Sequence, residues 1–280
     1  MNAFEQFLHS LEGEMERPGN YGWFHLMFVG IILVLTVLAC IYFFVKKRPD
    51  SHLRIFAGVL WGIIFVLEIY KQLIYSFNFD EATGVVTWDY QWYAFPFQLC
   101  SSPLYLLPFV AFMKEGKFRD SIMSFLSTFA LFGGLAVFFY PNDVFVGTIG
   151  INIQTMVHHG TQIITGVAFL VYNRKKLNFK YFFSGGIVYA VMISIAMILN
   201  LTVPFGTDET FNMFYISPNF PSTLPILSII YEQVDYFVFF LVYLVGFFAI
   251  AALIFGIACL VRFLKKLAQT RTVSAIKWDE

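Results

Sequence analysis

The chain has 280 residues with 18 basic and 18 acidic side chains, so its formal net charge is zero and nothing in its charge favours a nucleic acid as partner. Hydrophobic residues make up 59% and charged residues only 13%, where soluble domains carry about 25% charged residues, and the mean hydropathy is +0.71. This composition excludes an ordinary soluble domain and predicts an integral membrane protein.

Two segments outside the apolar stretches have recognisable patterns. Near the N-terminus, Phe4, Phe7, Leu8 and Leu11 recur at helical spacing, which predicts a short amphipathic helix on the outer surface, with a partly disordered acidic tail as the alternative. Residues 204–234 are rich in Pro, Asn and Phe. We expect this long loop to cap the helices rather than extend into water.

Apolar stretches of about 20 residues, the length that crosses a bilayer as a helix, occur seven times. The predicted spans cover residues 24–45, 53–77, 97–113, 121–140, 146–172, 181–203 and 235–262. The third is short and bounded by Pro96 and Pro108, so we expect it to be broken or tilted. The sequence therefore predicts an all-α, polytopic membrane protein, a seven-helix transmembrane bundle.

Charge alternates between the connections. Residues 46–54, 114–119, 174–180 and the segment from 262 onward hold 16 of the 18 Lys and Arg residues. The other connections contain no Lys or Arg and carry Asp80, Glu81, Asp89, Asp143, Asp208 and Glu209. The positive-inside rule then places the N-terminus outside and the C-terminus in the cytoplasm.

This orientation divides the chain into three parts. Residues 1–23 are predicted as an extracytoplasmic segment, residues 24–263 as the transmembrane domain and residues 264–280 as a cytoplasmic tail. We expect a multi-pass protein of the cell membrane. Nothing in the sequence specifies an oligomeric state.

Polar side chains interrupt the apolar spans, where each ionisable group costs roughly 2.5 kcal/mol or more and so marks a candidate working site. These residues are Glu68 and Lys71 in the second span; Gln98, Cys100, Ser101 and Ser102 at the start of the third; Asn152, His158, His159 and Gln162 in the fifth; and Asn200 in the sixth. A rise of 1.5 Å per residue places Glu68, Lys71, Cys100, His158, His159 and Asn200 in the outer half of the membrane. We therefore expect one polar cavity that opens outward.

Several readings of these residues stay open. Glu68 and Lys71 are spaced to pair with each other, and Cys100 could simply let two helices approach closely. A transporter would build its site from the second, third and fifth spans, although the chain shows no internal repeat. Adjacent histidines diverge by about 100° on a helix, so we predict no metal site, and we predict no cofactor.

The segment Pro96-Phe97-Gln98-Leu99-Cys100-Ser101 resembles the Pro–aromatic/aliphatic–His/Gln–Leu–Cys element of the YwaF/TMEM164 family of integral membrane proteins. The His158–His159 pair, Asn200 and the Pro-rich loop before Tyr231 fit the same pattern, so the similarity runs from the second span to the seventh. The animal member is described as a cysteine-dependent acyltransferase that moves a fatty acyl chain between phospholipids.

The resemblance implies a membrane-embedded phospholipid acyltransferase, with phospholipids and lysophospholipids as partners. Cys100 would accept the acyl chain as a thioester, and His158 or His159 would be its base. Many relatives have His where this chain has Gln98, so no activating role is carried over to that position. A buried thiol stays protonated, which is why its attack on an ester requires a base.

The tetrahedral intermediate would also need hydrogen-bond donors. Gln98, Ser101, Ser102 and Gln162 are candidates, together with backbone N–H groups freed near Pro103. Glu68, Lys71, Asn152 and Asn200 complete the predicted substrate-binding residues.

Overall fold

The structure is a computed structural model that describes residues 1–45, 48–142, 144–203 and 210–276, with side chains as far as residue 268. Residues of the charge pattern and of the outer loop that lie outside the described residues are Lys46, Lys47, Asp143, Pro204, Asp208, Glu209 and Lys277. The last four residues of the predicted tail lie outside them too. The fold is mostly helical (74%).

The helices of the described chain are α1 (Ala3–Leu11), α2 (Trp23–Val45), α3 (Asp50–Ser76), α4 (Ser102–Phe112), α5 (Lys117–Phe125), α6 (Leu131–Phe139), α7 (Ile149–Tyr172), α8 (Phe179–Thr202), α9 (Leu227–Gln233) and α10 (Tyr236–Ile276). A π-helical turn, Leu126–Ala130, joins α5 and α6 into one continuous helix. Short 3-10 turns cover Trp92–Ala94, Leu99–Ser101 and Met213–Tyr215.

Within the described residues, five helices are long and apolar enough to cross a membrane: α2, α3, the continuous α5–α6 helix, α8 and α10. The other two predicted spans differ for separate reasons. The helical segment that contains α4 covers only Leu99–Phe112, and α7 has the length but carries many polar side chains. The protein is therefore a multi-pass membrane protein, while seven crossings and their orientation remain predictions.

Helix α7 lies at the centre of the bundle, where it packs against α2, α3, α6 and the π-helical turn. Its buried polar residues are Asn152, Gln154, His158, Thr161, Gln162 and Thr165. Surrounding helices shelter these groups from lipid, so the helix tolerates them. Glycines permit the close approach: a Cβ at Gly134 of α6 would lie 2.7 Å from the carbonyl oxygen of His159.

Helix α4 is short, as predicted, but it continues through Pro108 without the expected break. The chain is not helical just before the 3-10 turn at Leu99, and Pro108 lies inside the helix, where it cannot donate to the carbonyl of Leu104. The indole N–H of Trp61 on α3 donates to that carbonyl instead, at 3.0 Å. The bond satisfies the exposed backbone group and ties α4 to α3.

The basic connections meet at one end of the bundle, here called the basic end. Arg54 donates to the carbonyl of Ala111 at 2.8 Å, Arg119 to the Asp50 carboxylate at 3.0 Å, and Lys176 to the Asp120 carboxylate at 2.8 Å. These contacts join the first turns of α3 and α5 to the last turn of α4 and the connection after α7. The opposite end, where α3 finishes and α4 and α7 begin, is called the cavity end.

A two-stranded antiparallel hairpin at the cavity end departs from the all-α prediction. Strand β1 (Phe77–Asp80) pairs with β2 (Val85–Trp88). Asp80 accepts a bond from the backbone N–H of Ala82 at 2.9 Å, and Gly84 takes a positive φ of 68° that suits glycine. These turn residues, followed by β-branched Val and Thr, are typical of a β-hairpin. The prediction missed it because the neighbouring apolar span dominated the pattern.

The two ends of the chain extend the bundle. The N-terminal segment forms helix α1, with a capping box at Asn2 and with Leu8 buried. The phenol of Tyr70 on α3 donates to the carbonyl of Leu11 at 3.0 Å, which fixes α1 against the bundle. At the other end, α10 continues to Ile276 without a break at the predicted domain boundary of residue 263.

Candidate functional site

A cavity of about 200 Å³ lies at the cavity end, between α3, α7 and the turn that precedes α4. Its lining consists of Glu68, Lys71, Tyr75, Tyr93, Ala94, Cys100, Ser101, Gln154, Thr155, His158 and His159. Six of the predicted site residues, including Cys100 and both histidines, therefore border one partly open cavity. The spans that bring them together are far apart in sequence.

Cys100 occupies the 3-10 turn Leu99–Ser101 that leads directly into α4. The hydroxyl of Ser102 donates to the carbonyl of Leu99 at 2.6 Å, which holds the turn closed. Cys100 lies two residues before the first residue of α4, in the segment that sets the start of this helix.

His158 contacts Cys100 through the backbone. Its Nε2 lies 2.9 Å from the carbonyl oxygen of Cys100, and a carbonyl only accepts, so Nε2 carries the proton. In the neutral ring Nδ1 is then a free acceptor, and it is buried with no hydrogen-bond partner among the described residues. Nδ1 lies on the ring edge opposite Nε2, so transfer of the Cys100 thiol proton to it requires the ring to release the carbonyl and turn over.

His159 points its Nδ1 back to its own helix. The Nδ1–H group donates to the carbonyl of Thr155 at 2.8 Å, so Nε2 is the acceptor nitrogen of this ring. The two imidazoles stand 5.9 Å apart between centroids. Each histidine thus has one nitrogen bound to a backbone carbonyl and one available to take a proton.

Glu68 and Lys71 form the ion pair that their spacing predicted, with 2.8 Å between Nζ and Oε1. The carboxylate of Glu68, a residue only 4% exposed, also accepts from the side-chain amide of Gln72 at 2.7 Å and from that of Gln154 at 3.4 Å. Several donors compensate its burial. The pair brings both signs of charge to the cavity wall.

Gln98, Ser102, Asn152 and Asn200 stand outside the cavity lining, and their polar groups are bound to backbone. The Asn152 amide accepts from the N–H of Val146 at 2.9 Å and donates to its carbonyl at 2.8 Å. The geometry gives these residues a structural role, in which they hold loops and turns around the cavity. Binding of substrate by them stays a prediction.

Two of these amides fix the outer loop. Gln98 donates to the carbonyl of Asn212 at 2.9 Å and accepts from the N–H of Phe214 at 2.7 Å. Asn200 donates to the carbonyl of Met213 at 2.9 Å and accepts from its N–H at 2.6 Å. The described part of the loop therefore caps the bundle, as predicted.

The capping loop carries strained backbone next to Cys100. Phe214 and Tyr215 both have positive φ, 56° and 57°, in a region that bulky residues rarely adopt. Burial raises the pKa of the Tyr215 phenol to about 12, and the neighbouring Cys100 adds to the rise.

Five lining residues are not among the predicted site residues: Tyr75, Tyr93, Ala94, Gln154 and Thr155. Tyr75 follows Lys71 by four positions and Glu68 by seven, so helical spacing on α3 could have identified it. Thr155 belongs to the polar face of α7 but looks like an ordinary helix residue. Tyr93 lies in an irregular segment, and only the tertiary fold brings it to the cavity.

Gln162 lies one turn beyond His158 on α7, outside the cavity lining. The residue is 1% exposed, and neither amide atom has a hydrogen-bond partner among the described residues. A Cβ built on Gly133 of α6 would lie 3.6 Å from the Gln162 side-chain nitrogen, at ordinary van der Waals distance.

Comparison with known proteins gives one match. The TMEM164 family matches residues 20–265, which include all the helices except α1 and the end of α10. No curated protein and no solved structure was found to be similar to the chain. Because the match covers most of the sequence, the chain belongs to the TMEM164 family of membrane proteins.

Proposed function

We propose that the protein is a phospholipid acyltransferase of the cell membrane, in which Cys100 takes a fatty acyl chain from a phospholipid and passes it to a lysophospholipid. One observation carries the proposal: a nucleophilic thiol and two imidazoles border the same cavity at one end of an apolar helix bundle. A cysteine beside a histidine is the arrangement that nucleophilic acyl transfer requires.

The first step forms the thioester. His158 Nδ1 takes the thiol proton, the sulfur of Cys100 attacks the ester carbonyl carbon, and the carbonyl electron pair moves to oxygen. The pair then returns, the carbon–oxygen bond to the glycerol oxygen breaks, and the imidazolium gives its proton to that oxygen. A lysolipid leaves, and the acyl chain stays on sulfur.

The second step reverses the roles. The hydroxyl of another lysolipid gives its proton to His158 Nδ1 and attacks the thioester carbon. The carbon–sulfur bond then breaks, and the proton returns to the thiol of Cys100. Water would hydrolyse the thioester, and the loop held by Gln98 and Asn200 gives a physical barrier to it.

The size of the cavity fits a reacting ester rather than a whole phospholipid, so the acyl chains would remain in the bilayer. The Lys71 ammonium at the wall provides a positive charge for the phosphate diester. In the structure this ammonium is paired with Glu68. Because it has three N–H donors, it can bind a phosphate oxygen and keep this pair.

The test is covalent labelling of the purified protein. Incubation with a phospholipid that carries a labelled acyl chain should transfer the label to wild type, and neutral hydroxylamine should release it, because thioesters are labile to this reagent. Cys100→Ala should remove the label completely. Cys40→Ala and Cys259→Ala are matched controls, because both thiols are partly buried and lie outside the cavity.

Label that persists in Cys100→Ala, or that never forms on wild type while the protein remains folded, would refute the acyltransferase. Exchange of label into added lysophospholipid, followed by chromatography of the lipids, separates a transferase from a hydrolase, which would release free fatty acid instead.

A transporter with its site between α3, α4 and α7 is the second candidate. The buried Glu68–Lys71 pair favours it, since charged groups inside a membrane protein commonly mark ion or solute paths. A transporter would never carry a hydroxylamine-sensitive acyl label, and Glu68→Gln would abolish solute uptake in reconstituted vesicles.

A further inference from the structure

A methyl-sized gap lies behind Cys100. A Cβ added to Gly133 of α6 would lie 3.6 Å from the Gln162 side-chain nitrogen, 3.8 Å from Leu99 and 3.9 Å from the Cα of Cys100. These are ordinary van der Waals separations, so an alanine would fit without displacing its neighbours. Tight helix packing therefore does not account for glycine at this position.

The neighbouring glycine shows the contrast. At Gly134 a Cβ would lie 2.7 Å from the carbonyl oxygen of His159 and 2.9 Å from Gln162 Cβ, so close packing requires glycine there. Glycine inside a helix is less stable than alanine by roughly 0.5–1 kcal/mol. Gly133 carries that cost without a packing reason, and its effect is to leave space beside Cys100.

The Gln162 amide borders the same space without a partner. Buried polar groups are nearly always hydrogen-bonded, and one left unsatisfied costs about 1–3 kcal/mol. A fully buried amide with no partner among the described residues, near the backbone of the residue that carries the thiol, is an arrangement that a ligand atom would complete. The atom must be a hydrogen-bond acceptor when the side-chain N–H groups face it.

We propose that Gln162 is a catalytic residue whose side-chain N–H donates to the oxyanion that forms when Cys100 attacks the ester, and that Gly133 keeps the oxyanion's place open. The inference rests on the proposed acyl transfer and deepens it. The carbonyl electron pair moves onto oxygen as the carbon–sulfur bond forms, and the amide stabilises that charge without exchanging a proton.

The position of Gln162 on α7 is consistent with this role. His158 and Gln162 are four residues apart and share one face of α7, and His158 is bonded to the carbonyl of Cys100 itself. Cys100 therefore lies across this face, with the base on one side and the amide donor one turn away.

The decisive variant is Gly133→Ala, because it should improve the helix while it fills the gap. We expect the rate of Cys100 acylation to fall about 10²–10³-fold, the effect of losing one oxyanion donor, with the unfolding temperature unchanged or higher. Gly62→Ala on α3 is the matched control, since a Cβ there would meet nothing within 4 Å. Its acylation rate should equal that of wild type.

A second variant addresses the amide directly. Gln162→Leu removes an unpartnered polar group at similar volume, so the fold should be retained, and acylation should fall as far as in Gly133→Ala. The double variant should lose little more than either single variant, because both remove the same interaction.

Alkylation of Cys100 with iodoacetamide separates this role from simple access to the thiol. Alkylation displaces iodide at a saturated carbon and forms no oxyanion, so both variants should alkylate at the wild-type rate. If acylation and alkylation fall together, or if acylation is unchanged in both variants, the role of Gln162 is refuted while the acyltransferase stands. If wild type carries no acyl label, both proposals fail.

Discussion

Among the individual residues, the two histidines of α7 differ in what holds them. The ring of His158 is fixed by the carbonyl of Cys100, whereas that of His159 is fixed by Thr155 on its own helix. A base must remain near the proton that it takes. The tether keeps the ring of His158 beside Cys100, so we predict His158 as the base, acting once the ring has turned to present Nδ1 to the thiol.

If His158 is the base, replacement by Gln should have unequal effects at the two histidines. His158→Gln keeps a donor for the Cys100 carbonyl but removes the base, so acylation of Cys100 should fall about 10²–10⁴-fold. His159→Gln should reduce it far less. Both rates can be measured with the labelled phospholipid, and circular dichroism reports whether each variant is folded. A larger loss in His159→Gln would reverse the assignment.

Secondary-structure elements are held around the site by side-chain amides that bind backbone. Gln98, Asn152 and Asn200 each pair with both the donor and the acceptor of a loop. Loops cannot satisfy their backbone groups internally, and a buried loop needs such partners. The amides near Cys100 thus substitute for the regular hydrogen bonding of a helix.

A substitution at Asn200 tests whether these side-chain amides stabilise the loops. Asn200→Leu has a similar volume but leaves the N–H and the carbonyl of Met213 without their partner, at about 1–3 kcal/mol for each group. We expect a lower unfolding temperature in detergent and faster proteolysis within the outer loop. Asn219→Leu, at an exposed position of the same loop, is the control and should leave both unchanged. Equal behaviour of the two variants would contradict the structural role.

The molecule as a whole separates its charged connections between two ends. The contacts of Arg54, Arg119 and Lys176 gather the predicted cytoplasmic connections, and the cavity lies at the opposite end. Positive connections remain on the cytoplasmic side of a membrane. The cavity would then face the outer leaflet.

Single cysteines in a background without Cys40, Cys100 and Cys259 can map this topology. Glu81→Cys in the hairpin and Tyr140→Cys should react with a membrane-impermeant maleimide in intact cells. Lys117→Cys and Lys175→Cys should react only after permeabilisation, because they lie in the basic connections. The pattern requires α4 and α7 to cross, and reaction of Lys117→Cys in intact cells would contradict the seven-span topology.

The linear sequence was sufficient to predict the long apolar helices and to identify a membrane protein. Apolar length alone predicts α2, α3, α8 and α10, since a stretch of that kind is stable only in lipid or inside a bundle. Spacing along one helix likewise predicts the Glu68–Lys71 pair, because it depends only on helical geometry. Pro96 lies in the non-helical segment just before the Leu99–Ser101 turn, whereas Pro108 does not break α4.

What only the tertiary structure decided is which polar residues meet. Asn200 and Gln98 share the polarity of His158, yet their groups face a folded loop, while Tyr93 reaches the cavity from an irregular segment. Periodicity gives the face of a helix but not the rotation and neighbours of that helix in the bundle. Those are set by contacts between distant segments, such as the approach of Gly134 to His159, and it is these contacts that leave space between Cys100 and Gln162.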